Sequence, residues 1–146
     1  MYILLGFFTI VVIVAIIIVL LRGILDVRNY IEENRLLIDT TNLAQVLLSS
    51  DKLCYADESG IHRGVFYEEK LEAAEDDPNV VFSDVYNPEV IYSLYVEDKE
   101  DDNSWYVSDL EETIIEKTFP VAIRYTNGET HVGMMTIKIG EPYGIE

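Results

Sequence analysis

The first 21 residues, MYILLGFFTIVVIVAIIIVLL, carry no charged side chain. As a helix rising 1.5 Å per residue, such a run reaches roughly 30 Å, the thickness of a bilayer's hydrocarbon core. In lipid a single segment satisfies its backbone only as a helix. The β-branched stretch Val11, Val12, Ile13, Val14, Ile16, Ile17, Ile18 and Val19 is therefore expected to be helical against its preference for strands. A cleavable secretory signal fits less well. It calls for a basic start, a shorter apolar run and a small-residue cleavage site, whereas the sequence turns to Arg22-Gly23-Ile24-Leu25. Residues 1–22 read as a transmembrane helix, with the lipid membrane as its first partner.

The remainder is a different kind of chain. Residues 51–146 hold 23 of the 27 acids and 7 of the 10 bases, and the net charge of the whole is −17. That surplus repels polyanions, so nucleic acid is excluded as a partner. The single cysteine, Cys54, removes any intramolecular disulfide and any Cys-only zinc cluster. What remains after the span and its extension is one domain near the lower size limit for building its own core.

Between these parts the apolar pattern continues. Ile24, Val27, Ile31 and Ile38 recur on one helical face and Leu36, Leu43 and Leu47 on an adjoining one, with no proline before Pro78. Residues 23–50 are expected to continue the same helix as an amphipathic stalk. The polar Asn34, Thr41 and Gln45 interrupt a coiled-coil spacing. The upper stripe is accordingly expected to dock on the downstream domain, and the membrane part to pack against copies of itself.

From residue 51 the pattern becomes strand-like. Leu53-Cys54-Tyr55 and residues 61–66 flank Asp57-Glu58-Ser59-Gly60, a hairpin signal. Residues 67–74 suit a short helix closed off by Glu75-Asp76-Asp77-Pro78. Residues 80–82, 90–96 and 105–107 read as strands, the last two paired across a polar loop. Residues 119–125 and 131–139 flank Asn127-Gly128, the strongest short hairpin signal. The expected fold class is α+β: a long transmembrane-plus-stalk helix packed on a small antiparallel sheet, with residues 51–146 as an acidic head.

Sites of chemistry are sparse. A Cys-His nucleophilic site would have to join Cys54 to His62 or His131, which the spacing does not bring together, and a semi-buried thiol is the commoner role. The acidic runs Glu75-Asp76-Asp77 and Glu97-Asp98-Lys99-Glu100-Asp101-Asp102 offer oxygen ligands without the spacing of a dedicated calcium loop. No phosphate loop, nucleophile elbow or zinc-helix motif occurs. The reading is of no catalytic residue, no metal and no cofactor.

A membrane-length apolar helix running into an amphipathic stalk and then a small β-rich head resembles type IV pilins and pseudopilins. Asn42-Leu-Ala-Gln-Val-Leu-Leu-Ser-Ser50, Leu53-Cys54-Tyr55, Gly64-Val65-Phe66, Glu69-Lys70-Leu71 and the closing 119–124 and 131–133 strands are similar to archaeal pilin-like membrane proteins. The resemblance implies a non-enzymatic subunit of a surface filament or secretion-like assembly, with its head outside the cell and homo-oligomeric or pilin-like partners. Packing would fall to Phe7, Ile10, Val14, Ile17, Leu21, Ile24, Val27 and Ile31. Two features depart from the family: no basic leader precedes Met1, and no acid precedes Asp26. The sequence is expected either to begin late or to be an unprocessed anchored relative. Arg22, Arg28 and Arg35 after the span would by themselves hold the head in the cytoplasm. The alternative function is a membrane-tethered module whose acidic head recruits a basic protein or divalent cations.

Overall fold

The computed structural model describes residues 2–83, 91–108, 110 and 113–140, with side chains from Val11 onward. Helix α1 occupies Tyr2–Leu47. Among the described residues no helix is long and apolar enough to cross a membrane. The chain divides into two compact units, Met1–Leu36 and Leu37–Glu146.

The first unit is helical throughout its described length, and from Val11 to Ile31 its described apolar side chains are exposed on every side of the helix. The second unit starts with the last turns of α1. There Thr40, Leu43, Ala44 and Leu47 are buried at the i, i+3, i+4, i+7 spacing of one helical face. Leu43 and Leu47 thus behave as the stalk pattern predicts, while Ile38 stays 61% exposed. The helix ends at Leu47. A tight turn follows, in which the Cys54 amide donates to the Ser50 carbonyl at 2.9 Å.

Strands β1 (Cys54–Asp57) and β2 (Gly60–Tyr67) form the first hairpin; α2 (Glu68–Asp76) and α3 (Asn79–Phe82) follow. Then come β3 (Ile91–Asp98), β4 (Ser104–Tyr106), β5 (Ile115–Arg124) and β6 (Thr130–Gly140). They make one six-stranded sheet in the order β1-β2-β5-β6-β3-β4. The architecture is α+β.

Two expectations are corrected, and one turn is defined more closely. The sheet is mixed, because β2 and β5 run parallel, with Val65, Phe66 and Tyr67 opposite Ala122, Ile123 and Arg124. A parallel neighbour needs a long crossover. The segment from α2 through β4 supplies one, so the chain re-enters the sheet beside β2 in the same direction. Residues 80–82 are helical and not a strand. Pro78 sets φ at −56°, the Asp77 carboxylate accepts the Asn79 amide at 3.1 Å, and the Phe82 amide closes on the Pro78 carbonyl at 3.1 Å. Three apolar residues are too few for periodicity to separate the two states. Finally, only Gly128 of the Asn127-Gly128 turn has positive φ, 95°, and its amide donates to the Tyr125 carbonyl at 3.0 Å. The hairpin is where the dipeptide predicts it, but the turn asks left-handed geometry of glycine alone. Val90, expected to begin a strand, lies outside the described residues.

The core joins Leu43, Ala44 and Leu47 to Leu53, Phe66, Leu71, Leu94, Val96, Ile123, Met135 and Ile137. Two backbone bonds fix the helix end to β2: Gly64 N–H to the Leu48 carbonyl at 2.7 Å, and Tyr67 N–H to the Leu53 carbonyl at 2.9 Å. Gly64 sits at φ 72°, which a side chain would strain. At Gly133 the constraint is space. A Cβ there would lie 2.5 Å from Ile123 Cδ1 and 3.0 Å from the Glu97 carbonyl oxygen.

Gly133→Ala is therefore expected to cost about 1–3 kcal/mol by overpacking. Leu47→Ala should cost about 2–5 kcal/mol through loss of buried contacts, and Ile38→Ala about 0.5 kcal/mol or less. Urea denaturation followed by the fluorescence of Trp105, the single and buried tryptophan, checks all three.

Candidate functional site

Two features stand out: the bare apolar helix of the first unit and a buried polar network in the second. On the helix, Val14, Ile17, Leu21, Ile24, Val27 and Ile31 are all exposed, with Ile24 at 65% and Ile31 at 59%. Phe7 and Ile10 lie outside the described side chains. Two polar contacts of this unit lie within the helix itself. Arg28 Nε donates to Glu32 Oε1 at 3.0 Å, and Asn34 Nδ2 donates to the Tyr30 carbonyl at 2.9 Å. Charges at i and i+4 satisfy each other and leave the apolar positions without polar company.

The network centres on Asp98, the last residue of β3, whose side chain has no solvent exposure. Strand alternation places Leu94, Val96 and Asp98 on the same buried side of β3. In the β5–β6 hairpin, buried Tyr125 and half-buried His131 converge on that carboxylate. Tyr125 Oη donates to Asp98 Oδ2 at 2.6 Å, and His131 Nδ1 lies 2.7 Å from the same oxygen. The other oxygen, Oδ1, accepts the amides of Glu100 at 2.8 Å and Asp101 at 3.2 Å. Asn103 Nδ2 donates to Tyr125 Oη at 3.2 Å, and the Tyr125 and His131 rings meet at a tilt of 53° with their centroids 4.7 Å apart.

The protonation states follow. Burial works to raise the Asp98 carboxyl, but the hydrogen bonds from Tyr125, the Glu100 amide, His131 and the Asp101 amide together outweigh it and hold it below its ordinary value. The Asp98 hydrogen bond, opposed by desolvation and helped by the charges of Asp98, Glu100 and Asp101, raises His131. Burial, and then the bond to Asp98, push Tyr125 up to about 12. With Asp98 ionised, Nδ1 of His131 carries the proton.

An Asp-His pair is half of a nucleophile-base arrangement. The hydroxyl beside this one is Tyr125's, which gives its proton to the carboxylate and is held far from ionisation at neutral pH. Asp98, Asp101 and His131 also place ligand atoms within 4.8 Å of one another, beside an open polar pocket of about 240 Å³ formed by the β3–β4 loop. Both oxygens of Asp98 already accept two hydrogen bonds each, so a cation would have to displace a partner from it. The network serves the loop. Lys99 N–H bonds the Val132 carbonyl at 2.9 Å and Val132 N–H bonds Glu100 Oε1 at 2.8 Å, which closes the loop over β6.

The other acids are similarly engaged. Glu75 Oε1 accepts the Tyr106 amide of β4 at 3.1 Å, and Asp77 Oδ1 accepts the Asn79 amide at the start of α3. Cys54 is buried, its sulfur 3.3 Å from the Leu48 carbonyl and 3.7 Å from that of Leu47. Burial pushes its thiol up, more strongly than the Gly64 amide and Lys70 pull it down. His62, in the same β1–β2 hairpin as Cys54, pairs with Asp57 at 2.9 Å, while His131 belongs to the Asp98 network. The Ser59 hydroxyl, then the Ser59 amide, lower the exposed Asp57 to about 2. Sequence reasoning took Asp98 as one acid among many. The signal that singles it out is its parity with Leu94 and Val96.

No family model matches the chain, and no curated protein or solved structure matches it either.

A group raised on folding stabilises below its unfolded pKa and loses that contribution as pH rises through the folded value. For His131 the unfolded value is 6.5 and the folded one higher, so stability is expected to fall as pH rises above 6.5 and through the folded value. His131→Gln should flatten this slope, measured as the urea midpoint between about pH 6 and pH 9. Asp98 has the opposite sign: its contribution is complete above 3.8 and lost as pH falls through its depressed value. Asp98→Ala, which strands Tyr125 and two amides, should cost on the order of 3 kcal/mol.

Proposed function

We propose that the chain is a non-enzymatic, single-pass membrane protein of the pilin-like kind. Its N-terminal helix is stored in the cell membrane and assembles with like helices into a surface filament or secretion-like structure, with the acidic head outside. One observation carries this reading: every described side chain from Val11 to Leu21 is exposed, on all sides of the helix. A helix apolar all round has to be buried in something. The uncharged sequence extends to Met1, giving 21 residues in all. At about 25 cal/mol per Å², transferring that many apolar side chains from water to lipid is worth tens of kcal/mol. Departure from lipid then requires an equally apolar setting, which a bundle of the same helices provides.

The sheet of the second unit supports the division of labour. It covers Leu43, Ala44 and Leu47 and forms a core of its own, so the head does not need residues 11–31 for stability. The Asp98 network turns much of the acid-rich β3–β4 segment into loop structure, which supports a presenting or packing role over a catalytic one.

Co-flotation of the full chain with phosphatidylcholine vesicles tests the anchor. The wild type is expected to float. Val14→Asp with Ile17→Asp places two charges at the centre of the run, each costing about 3 kcal/mol, so partition should fall on the order of 10⁴-fold. Trp105 fluorescence and urea midpoint should stay unchanged, which shows a folded head. A wild-type chain that stays in the dense fraction as a monodisperse soluble particle would overturn the proposal. Unchanged binding of a basic partner by the charged variant, with no assembly lost, would favour the tethered-module alternative.

A further inference from the structure

We propose that Asp98, Asp101 and His131 form a site for one divalent transition-metal cation, Zn²⁺ by the chemistry of the ligands, which ties the β3–β4 loop to β6. The site belongs to the second unit and does not depend on how the N-terminal helix is anchored.

The geometry starts from one hydrogen bond. His131 Nδ1 stands 2.7 Å from Asp98 Oδ2 and 3.7 Å from Asp101 Oδ2. Ligand atoms of the three side chains all lie within 4.8 Å of one another. A tetrahedral zinc ion holds N and O ligands at about 2.0–2.2 Å, which sets neighbouring ligand atoms about 3.3 Å apart. The two separations from Nδ1 fall on either side of that spacing. An ion seated among the three asks His131 and Asp98 to part by roughly 0.5 Å and Asp101 to close by a similar amount. Asp101 is free to make most of the adjustment, since its side chain is 60% exposed.

The partner that a cation must displace is a single proton. Asp98 Oδ2 accepts the Tyr125 hydroxyl and His131 Nδ1, and Oδ1 accepts the amides of Glu100 and Asp101. An ion that takes the place of the Nδ1 proton leaves the tyrosine bond and both amide bonds intact. The proton passes to solvent and the imidazole becomes a neutral ligand. The three remaining donors then orient the ligating carboxylate, the role outer hydrogen bonds play around a bound metal.

Charge points the same way. The Asp98 side chain has no solvent exposure, and among the described residues its ion pair is with His131. Lys99, in the same loop, is engaged by Glu97. An imidazolium facing two carboxylates leaves the trio at +1 − 2 = −1, whereas a divalent ion with a neutral imidazole brings it to +2 − 2 = 0. Neutrality matters most where a charge is buried. An imidazole nitrogen in the set favours zinc over calcium or magnesium, which take oxygen ligands. Asp98 and Asp101 also line the open polar pocket of the β3–β4 loop, which admits water to the fourth position of the ion.

Equilibrium dialysis of the full chain against zinc chloride, in phosphatidylcholine vesicles or in solution, tests the site. Bound zinc is expected to saturate at one ion per chain and to withstand an excess of calcium chloride. Asp101→Asn and His131→Gln should each weaken binding by about tenfold or more. Asp102→Asn removes the same charge from the same loop and should leave binding nearly unchanged. Fluorescence of Trp105, whose ring lies 6.4 Å from that of Tyr125, shows whether each variant is folded. If His131→Gln does not fold, the exposed Asp101 carries the decision. Equal weakening by Asp101→Asn and Asp102→Asn would reduce the binding to general attraction by an acidic loop and overturn the site. Full binding by a folded Asp101→Asn variant, zinc held at no definite ratio, or no zinc retained by the folded wild type would overturn it as well.

Discussion

Exposed apolar surface on a helix has to be covered, and in this chain the two ends of one helix meet that requirement differently. Near Leu47 the cover is internal. Thr40, Leu43, Ala44 and Leu47 share one face and are buried in the core of the second unit. From Val11 to Ile31 the described side chains have no such cover, and the apolar ones lie open on every side until charges enter at Arg22. The same backbone geometry serves both stretches. What differs is whether apolar residues occupy one stripe or the whole circumference, and a stripe is what a single sheet can cover.

The second unit solves a problem of its own, that of folding a domain whose acids greatly outnumber its bases. Carboxylates there are spent on backbone amides: Asp98 on Glu100 and Asp101, Glu100 on Val132, Asp77 on Asn79, Glu75 on Tyr106. Each such bond gives a negative charge a donor without needing a lysine or arginine. Asp98 is the extreme case, buried with four donors, and it fixes the β3–β4 loop against the β5–β6 hairpin through Tyr125 and His131. The network uses the residue types expected of an active site, yet its hydrogen bonds point inward to one another.

Local chemistry was legible in the sequence and long-range pairing was not. The β1–β2 and β5–β6 hairpins, α2 and the Leu43–Leu47 face follow from turn residues, a proline and helical spacing, all of which act over a few residues. The parallel β2–β5 contact depends on where a distant segment re-enters the sheet, and no local signal encodes that. The helical turn at Asn79–Phe82 was lost for a related reason, since Val80, Val81 and Phe82 suit either state and the decision falls to Pro78 and the Asp77 carboxylate that accepts the Asn79 amide.

The sequence by itself determined that an uncharged, lipid-length run precedes an acidic domain, because charge and hydropathy belong to residues one at a time. That Asp98 faces inward is a finding of the fold, in which β3 runs two residues past the expected strand end at Val96. Only the tertiary structure decided what Asp98 meets there. Its partners lie 27 and 33 residues away, and their convergence depends on the sheet order that sets β3 beside β6 and β6 beside β5.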